Sequence, residues 1–194
     1  MGSECLQTRP IDKRSHCTPS ASARVGRRVA AVSTAPSLHP SLEPIAFLLG
    51  TWSGRGTGEY PTIQPFAYDE TITFTHVGKP FLAYSQRTKA SDDGRPLHAE
   101  TGYWRCPAPG RVEVVLAHPT GVVEVEEGTI VDAAIMLTTT HLARTSTAKD
   151  VTSLTRVLHF TEERGASVLR YTVAMGAVGV PETHHLEATL TREL

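Results

Sequence analysis

The sequence predicts an all-β fold: an antiparallel up-and-down β-barrel of about ten strands, with a short helix at the N-terminal side. Strand-like segments follow one another from residue 51 onward at short, regular spacing, and turn residues separate them. No second helical pattern is present to cover a sheet. Strands without helical partners must bury their apolar faces against one another. A closed barrel does this without leaving an edge, and a sandwich is the alternative.

The short helix is predicted over Ser41–Gly50, immediately before the first strand. Ser41 can cap its N-terminus, Pro44 is tolerated in the first turn and Gly50 can end it. Its apolar residues are expected to close one end of the barrel.

Residues 1–40 are predicted to form a disordered basic tail. They are rich in Ser, Pro, Arg and Ala, carry a net charge of +4 and show no sustained hydrophobic period. An Arg-rich, acid-poor start is also typical of a transit peptide, so an unstructured start and a targeting segment both stay open. The predicted domains are therefore the 1–40 tail and a 41–194 barrel domain.

Alternating apolar and polar residues define the strands. The predicted strands are 50–56, 71–76, 81–87, 97–106, 112–117, 122–127, 130–140, 151–160, 167–175 and 185–190. The segment 58–66 contains two prolines and is predicted to be a stiff loop at a barrel mouth.

Composition narrows the class of function. The net charge of the chain is −1, so no nucleic-acid or membrane partner is expected. The three cysteines, Cys5, Cys17 and Cys106, show no close pairing, which favours a reducing compartment and a cytoplasmic location. The chain contains no HExxH, P-loop or GxSxG motif, and pairs such as Glu126-Glu127 are interpreted as solvated. Any chemistry should therefore come from a cofactor.

Several side chains that bind metals occur in strand-like segments. His118 has the same parity as Val112, Val114 and Leu116, so it is expected to project with an apolar face. Met175 likewise has the parity of Tyr171 and its apolar neighbours. For a single residue of this kind, an ordinary core or surface role is the commoner explanation.

The last strand begins with two adjacent imidazoles, His184 and His185. A neutral imidazole nitrogen is a good ligand for haem iron, although an isolated pair of histidines is more often a surface feature. His185 has the opposite parity to Leu186, Ala188 and Leu190. Either the strand bulges after His185 or its interior face is the less apolar one, and the sequence leaves both open.

Six segments together carry a family pattern, in the family's order and over nearly the whole of the predicted barrel. They are GTWSGRG at 50–56, GEYPTIQPFAYDE at 58–70, HVGKP at 76–80, LHAETGYW at 97–104, TGVVEVEEG at 120–128 and PETHHLEATL at 181–190. On these segments the chain resembles the nitrobindin family, in which the YPT loop and the last strand are the most specific elements.

The resemblance implies a site. Nitrobindins are antiparallel barrels that hold haem b, Fe(III) protoporphyrin IX, near one open end. The axial ligand of the iron falls on His185, and Thr62 falls on the residue that touches the haem. Lys149 falls where a side chain reaches a propionate. Further pocket-lining positions of the family fall on Leu97, His98, His118 and Met175.

The resemblance also implies an activity. Members bind nitric oxide and isomerise peroxynitrite to nitrate, so His185 is expected to act in catalysis through the haem iron. The absence of a CxxCH motif excludes covalent haem attachment of the c-type. Two alternatives stay open: a non-enzymatic barrel of lipocalin or fatty-acid-binding type that carries an apolar ligand, and a haem-based nitric oxide sensor or carrier. The expected partners are small molecules, and the chain is expected to be a monomer or homodimer.

Overall fold

Ten strands form one closed antiparallel barrel in the computed structural model, which describes residues 36–193. Each strand pairs with its neighbours along the chain, and the ring closes where the first strand pairs with the last. This confirms the predicted up-and-down barrel. Of the predicted 1–40 tail, residues 1–35 lie outside the described part.

A nine-residue 3₁₀ helix, Pro40–Leu48, precedes the barrel. The strands are β1 Gly50–Tyr60, β2 Ile63–Thr75, β3 Leu82–Ala90, β4 Pro96–Arg105, β5 Arg111–Ala117, β6 Val122–Val131, β7 Ala134–Arg144, β8 Val151–Glu163, β9 Ala166–Ala177 and β10 Val180–Arg192. In residues 36–193, the helix lacks the length and apolar character that crossing a membrane would require.

The predicted 58–66 loop is wrong, because most of it is strand. β1 continues to Tyr60 and β2 begins at Ile63, so only Pro61 and Thr62 form the turn. The pairing register between the two strands shifts beside this turn, in the stretch that contains Pro65. A proline is tolerated there because an irregular stretch does not need its backbone N–H.

The boundary between β6 and β7 also differs from the prediction, which began a strand at Ile130. β6 runs to Val131, and the turn is Asp132-Ala133. Asp132 has a φ of 53°, a left-handed conformation that aspartate accepts more readily than most residues.

The 3₁₀ helix closes one end of the barrel, which is called here the helix end. Leu42, Ile45 and Leu48 are fully buried in it. The Trp52 indole Nε1 donates a hydrogen bond of 2.7 Å to the Leu48 carbonyl. The Arg192 guanidinium lies 4.6 Å from the centre of the same indole ring, a cation–π contact. The cap differs from the prediction: His39, and not Ser41, is the N-cap, and its ring nitrogen accepts from the Ser41 amide.

The opposite end, the turn end, is formed by the connections that follow β1, β3, β5, β7 and β9. Every register shift among the described strand pairs lies in the half of the barrel nearer this end. Bulges interrupt the ladder and redirect side chains, and they concentrate at barrel rims and beside functional sites. The distribution of bulges therefore directs attention to the turn end.

The indole that joins the helix to the barrel gives a test. Trp52→Phe removes the donor to the Leu48 carbonyl, whereas Trp104→Phe removes an equally buried indole whose Nε1 has no hydrogen-bond partner. We expect Trp52→Phe to lower the free energy of unfolding by about 1–2 kcal/mol more than Trp104→Phe does. Urea unfolding followed by far-UV circular dichroism measures both. Equal losses would mean that the hydrogen bond does not anchor the helix.

Candidate functional site

The strand that carries His185 bulges at that residue. Thr183 pairs with Met175 and His184 with Ala174, but the next pair is Leu186 with Val173. His185 therefore has no partner on β9. This decides between the two alternatives that the sequence left open: the strand bulges, and an apolar inner face continues through Ala188 and Leu190, which are buried.

The His185 ring is fixed from two sides. Its centre lies 5.3 Å from that of the buried Tyr60 ring, at an interplanar angle of 72°. Its Nδ1 lies 2.9 Å from the Glu59 carbonyl oxygen. Because a carbonyl can only accept, Nδ1 carries the proton and Nε2 keeps a free lone pair. Burial lowers the pKa of His185, although the hydrogen bond to Glu59 acts in the opposite direction, and a lowered pKa favours the neutral imidazole, the form that binds metals.

Half-buried apolar side chains surround the turn end and pack against the core. They are Phe66, Leu142, Val151, Met175 and Leu186. The Tyr60 hydroxyl contacts the Met175 and Ala177 carbonyls at 3.3 and 3.2 Å, and so holds this aromatic ring in place. Apolar side chains around one unprotonated imidazole nitrogen supply the chemistry that a haem requires from its protein.

Tyr60 and Phe66 were not predicted as site residues. Their places in the sequence carried a signal nevertheless, because Phe66 has the same parity as Tyr68 and Glu70, which are buried. The prediction of a loop over 58–66 prevented that parity from being applied.

The other predicted pocket residues lie at the turn end with His185. Thr62 is exposed in the β1–β2 turn, and Lys149 is exposed in the β7–β8 connection. Leu97 is the extra residue where the β3–β4 register shifts, and it is 38% exposed. Strand alternation does not determine which way such a residue points. The roles of Thr62, Leu97 and Lys149 toward a haem therefore stay predictions.

His98 and His118 are brought together. The His98 Nε2 lies 2.9 Å from the His118 Nδ1. The His118 side chain is only 6% exposed, which confirms its predicted inward direction. On its other side, His118 Nε2 lies 2.9 Å from a Glu124 oxygen, in a contact that is short but too bent for a full hydrogen bond. His98 is the more exposed of the two, at 32%.

A layer of buried charge lies beside this pair of histidines. The Arg156 guanidinium is 3.4 Å from Glu100, 3.6 Å from Glu124 and 3.6 Å from Glu126. The interpretation of Glu126-Glu127 as a solvated pair is thus wrong for Glu126, which is fully buried. The physical reason is that β6 continues to Val131, so its alternation directs Glu126 inward together with Val122 and Glu124.

This layer holds more carboxyl groups than cations can neutralise. Burial raises the pKa of Glu126 to about 7, although Arg156 acts in the opposite direction. Burial also raises the pKa of Glu70 to about 7, despite hydrogen bonds from Gln86 and Tyr171 at 2.8 and 2.7 Å. For Glu100, burial is outweighed by the charge of Arg156, and the pKa is lowered. The pKa values of two buried carboxyl groups, those of Glu70 and Glu126, are therefore raised toward neutral pH.

Comparisons with known proteins bear on what this arrangement binds. A protein-family model described as "THAP4-like, heme-binding beta-barrel domain" matches residues 41–192. A peroxynitrite isomerase 2 from Mycobacterium avium (strain 104) is 54% identical over 160 residues, which cover 80% of this chain and 97% of that protein. A peroxynitrite isomerase from Nocardia farcinica is 51% identical over 161 residues, which cover 81% of this chain and 94% of that protein.

A solved structure is also similar. The crystal structure of Rv2717c from M. tuberculosis shares 47% sequence identity and a TM-score of 0.74, and the match covers 81% of this chain and 100% of that chain.

The buried Glu126 carboxyl predicts a pH effect. Its pKa is raised from 4.5 to about 7, so the stability it contributes is complete below pH 4.5 and is lost as the pH rises through 7. Glu126→Gln cannot ionise. Relative to the unsubstituted chain, we expect its free energy of unfolding to increase by up to about 3 kcal/mol between pH 5 and pH 8. Urea unfolding at each pH measures the difference.

The matched control is Glu127→Gln, the next position along the same strand, whose side chain is 43% exposed. This variant should follow the pH dependence of the unsubstituted chain. If the free energies of unfolding of Glu126→Gln and the unsubstituted chain differ by the same amount at every pH, the pKa of Glu126 is not raised.

Proposed function

The chain belongs to the THAP4-like, heme-binding β-barrel family, the nitrobindin family that its motifs resemble, and on that premise we propose that it is a haem protein that isomerises peroxynitrite to nitrate. One observation carries the proposal: the neutral His185 ring donates from Nδ1 to the Glu59 carbonyl and leaves Nε2 free. Curated relatives of about half sequence identity bear the name peroxynitrite isomerase.

The residues at the turn end fit a haem b. His185 would bind the iron through Nε2, and the apolar side chains Phe66, Met175 and Leu186 would contact the macrocycle. Lys149 would reach a propionate, and Thr62 would touch the haem. A ferric haem bound in this way supplies a Lewis-acidic iron position that can accept an anion or nitric oxide.

The protein's own contribution to the reaction is positioning and the exclusion of water. Isomerisation of peroxynitrite breaks the O–O bond and forms a new N–O bond, with no net gain or loss of protons. Apolar walls keep the separated fragments together until they recombine as nitrate. The Glu59 carbonyl, by accepting from Nδ1, makes His185 a more basic ligand and fixes its ring orientation.

The partners of this site are small molecules, nitric oxide and peroxynitrite. We propose a cytoplasmic location, as the cysteine usage predicts: Cys106 is a free, buried thiol, and burial raises its pKa to about 11, which makes it a poor nucleophile.

Haem binding is tested by changing the ligand alone. We expect His185→Gly to weaken haemin affinity by more than about 100-fold, because loss of a metal ligand should exceed the effect of losing a residue that merely orients one. Titration of the haem-free chain with haemin, followed by the Soret band, measures this. Added imidazole should enter the space left by the ring and restore the band.

The matched control is His184→Gly, which removes the exposed neighbouring imidazole from the same strand and should leave haemin affinity unchanged. Undiminished affinity in His185→Gly would show that another residue holds the iron. If the unsubstituted chain binds no haemin, the alternative of a non-enzymatic barrel that carries another apolar ligand is favoured.

The activity is tested by mixing peroxynitrite with the haem-loaded chain in a stopped-flow instrument. We expect the decay rate to rise in proportion to protein concentration, and nitrate to be the product at the expense of nitrite. Free haemin at equal concentration and the haem-free chain are the controls. Decay no faster than in these controls, in a chain that still binds haem and nitric oxide, would favour a sensor or carrier.

A further inference from the structure

Two imidazoles and one carboxylate lie close together inside the barrel, and His185 is not one of them. The three donor atoms are His98 Nε2, His118 Nδ1 and Glu100 Oε1. The two nitrogens lie 2.9 Å apart, and the Glu100 oxygen lies 3.8 Å from His98 Nε2 and 4.0 Å from His118 Nδ1. The point equidistant from all three lies about 2.1 Å from each, which is the bond length of a divalent ion such as Zn²⁺ to imidazole nitrogen and carboxylate oxygen.

The two buried donor residues, His118 and Glu100, each contact a further polar group. His118 Nε2 lies 2.9 Å from a Glu124 oxygen in the bent contact described above, and a proton on Nε2 would leave the Nδ1 lone pair, which now faces His98 Nε2, to an ion. The second oxygen of Glu100 accepts from the Tyr84 hydroxyl at 3.1 Å and lies 3.4 Å from Arg156. Outer partners that fix the tautomer of a histidine and the orientation of a carboxylate are typical of metal sites.

The charge of the surroundings favours a cation. Among the described residues, four carboxyl groups are buried, those of Glu70, Glu100, Glu124 and Glu126, against one buried guanidinium, that of Arg156. One Glu124 oxygen and both Glu126 oxygens are buried without a hydrogen-bond partner. Buried carboxylate oxygens that lack hydrogen bonds are costly in a protein interior, and a divalent ion nearby would lower that cost.

We propose that His98, His118 and Glu100 form a second metal site, which binds a divalent first-row transition ion, Zn²⁺ or Fe²⁺. Two imidazoles with one carboxylate are a donor set that these ions use when a coordination position is left open for a small molecule. His98 is the partly exposed member, at 32%, so the open position is accessible from the turn end. His98 and His118 are also predicted to line the haem pocket, but the metal site does not include His185, so the two proposals can be tested separately.

The first measurement uses the haem-free full-length chain and Co²⁺, whose ligand-field absorption reports its coordination. We expect one equivalent to bind with the absorption of a four- or five-coordinate ion, and Zn²⁺ to displace it. His98→Gln removes the partly exposed donor and should weaken binding by more than about 100-fold, while Glu124→Gln should weaken it by about 10- to 100-fold. Circular dichroism verifies that each variant is folded.

Two controls separate the proposed site from other imidazoles. His184→Gln removes an exposed histidine and His185→Gly removes the proposed haem ligand, and both should keep the Co²⁺ signal. Calorimetry of Zn²⁺ binding to the haem-loaded chain should give the same single site. The proposal is overturned by undiminished Co²⁺ binding in His98→Gln, by loss of the signal in His185→Gly, or by the absence of saturable binding, which would leave the two histidines as a hydrogen-bonded pair.

Discussion

The pairing of β1 with β10 is the constraint on which the rest of this molecule depends, because it turns a meander into a closed ring and fixes which residues face inward. The close approach requires glycines on β1. A Cβ on Gly54 would lie 2.1 Å from the Thr189 carbonyl oxygen, and one on Gly56 would lie 2.6 Å from the Glu187 carbonyl oxygen, both on β10. Once the ring is closed, strand alternation places every other side chain inside, whether it is apolar or charged.

The interior that results is layered along the barrel. The helix end is filled by indole and aliphatic side chains, whereas Arg156 and its carboxylates lie deeper than the half-buried groups of the turn end. A buried ionic cluster of this kind contributes little net stability, because the desolvation of its charges offsets their mutual attraction. The cluster also acts on the neighbouring groups: the charge of Arg156 lowers the pKa of Glu100, and a Glu124 oxygen lies 2.9 Å from His118 Nε2.

Strand alternation in the sequence was sufficient to predict the barrel, the inward direction of His118 and the conflict of parity at His185. It was insufficient where polar residues face inward, because a glutamate on a strand is ordinarily interpreted as solvated. Glu126 was misplaced for that reason, and only closure of the ring makes its burial necessary. The prediction for residues 58–66 failed for a different reason. The prolines of this segment indicate a loop, but a two-residue turn and an irregular pairing of β1 with β2 accommodate both prolines. The assignment of His185 as the haem ligand is a prediction from family resemblance, since spacing alone does not distinguish His185 from His184.

The irregularities at the turn end connect the fold to its chemistry. The regular ladder between β1 and β10 ends at the pair Gly58 and Leu186, beyond which β10 bulges. Had the ladder continued, the Glu59 carbonyl would be committed to a backbone amide and the His185 side chain would alternate outward. Because it stops, the carbonyl can accept from the His185 ring at 2.9 Å, and the bulge turns that ring toward Tyr60. A single interruption of strand pairing thus supplies both the direction of the imidazole and the proton arrangement that leaves Nε2 free to bind a metal.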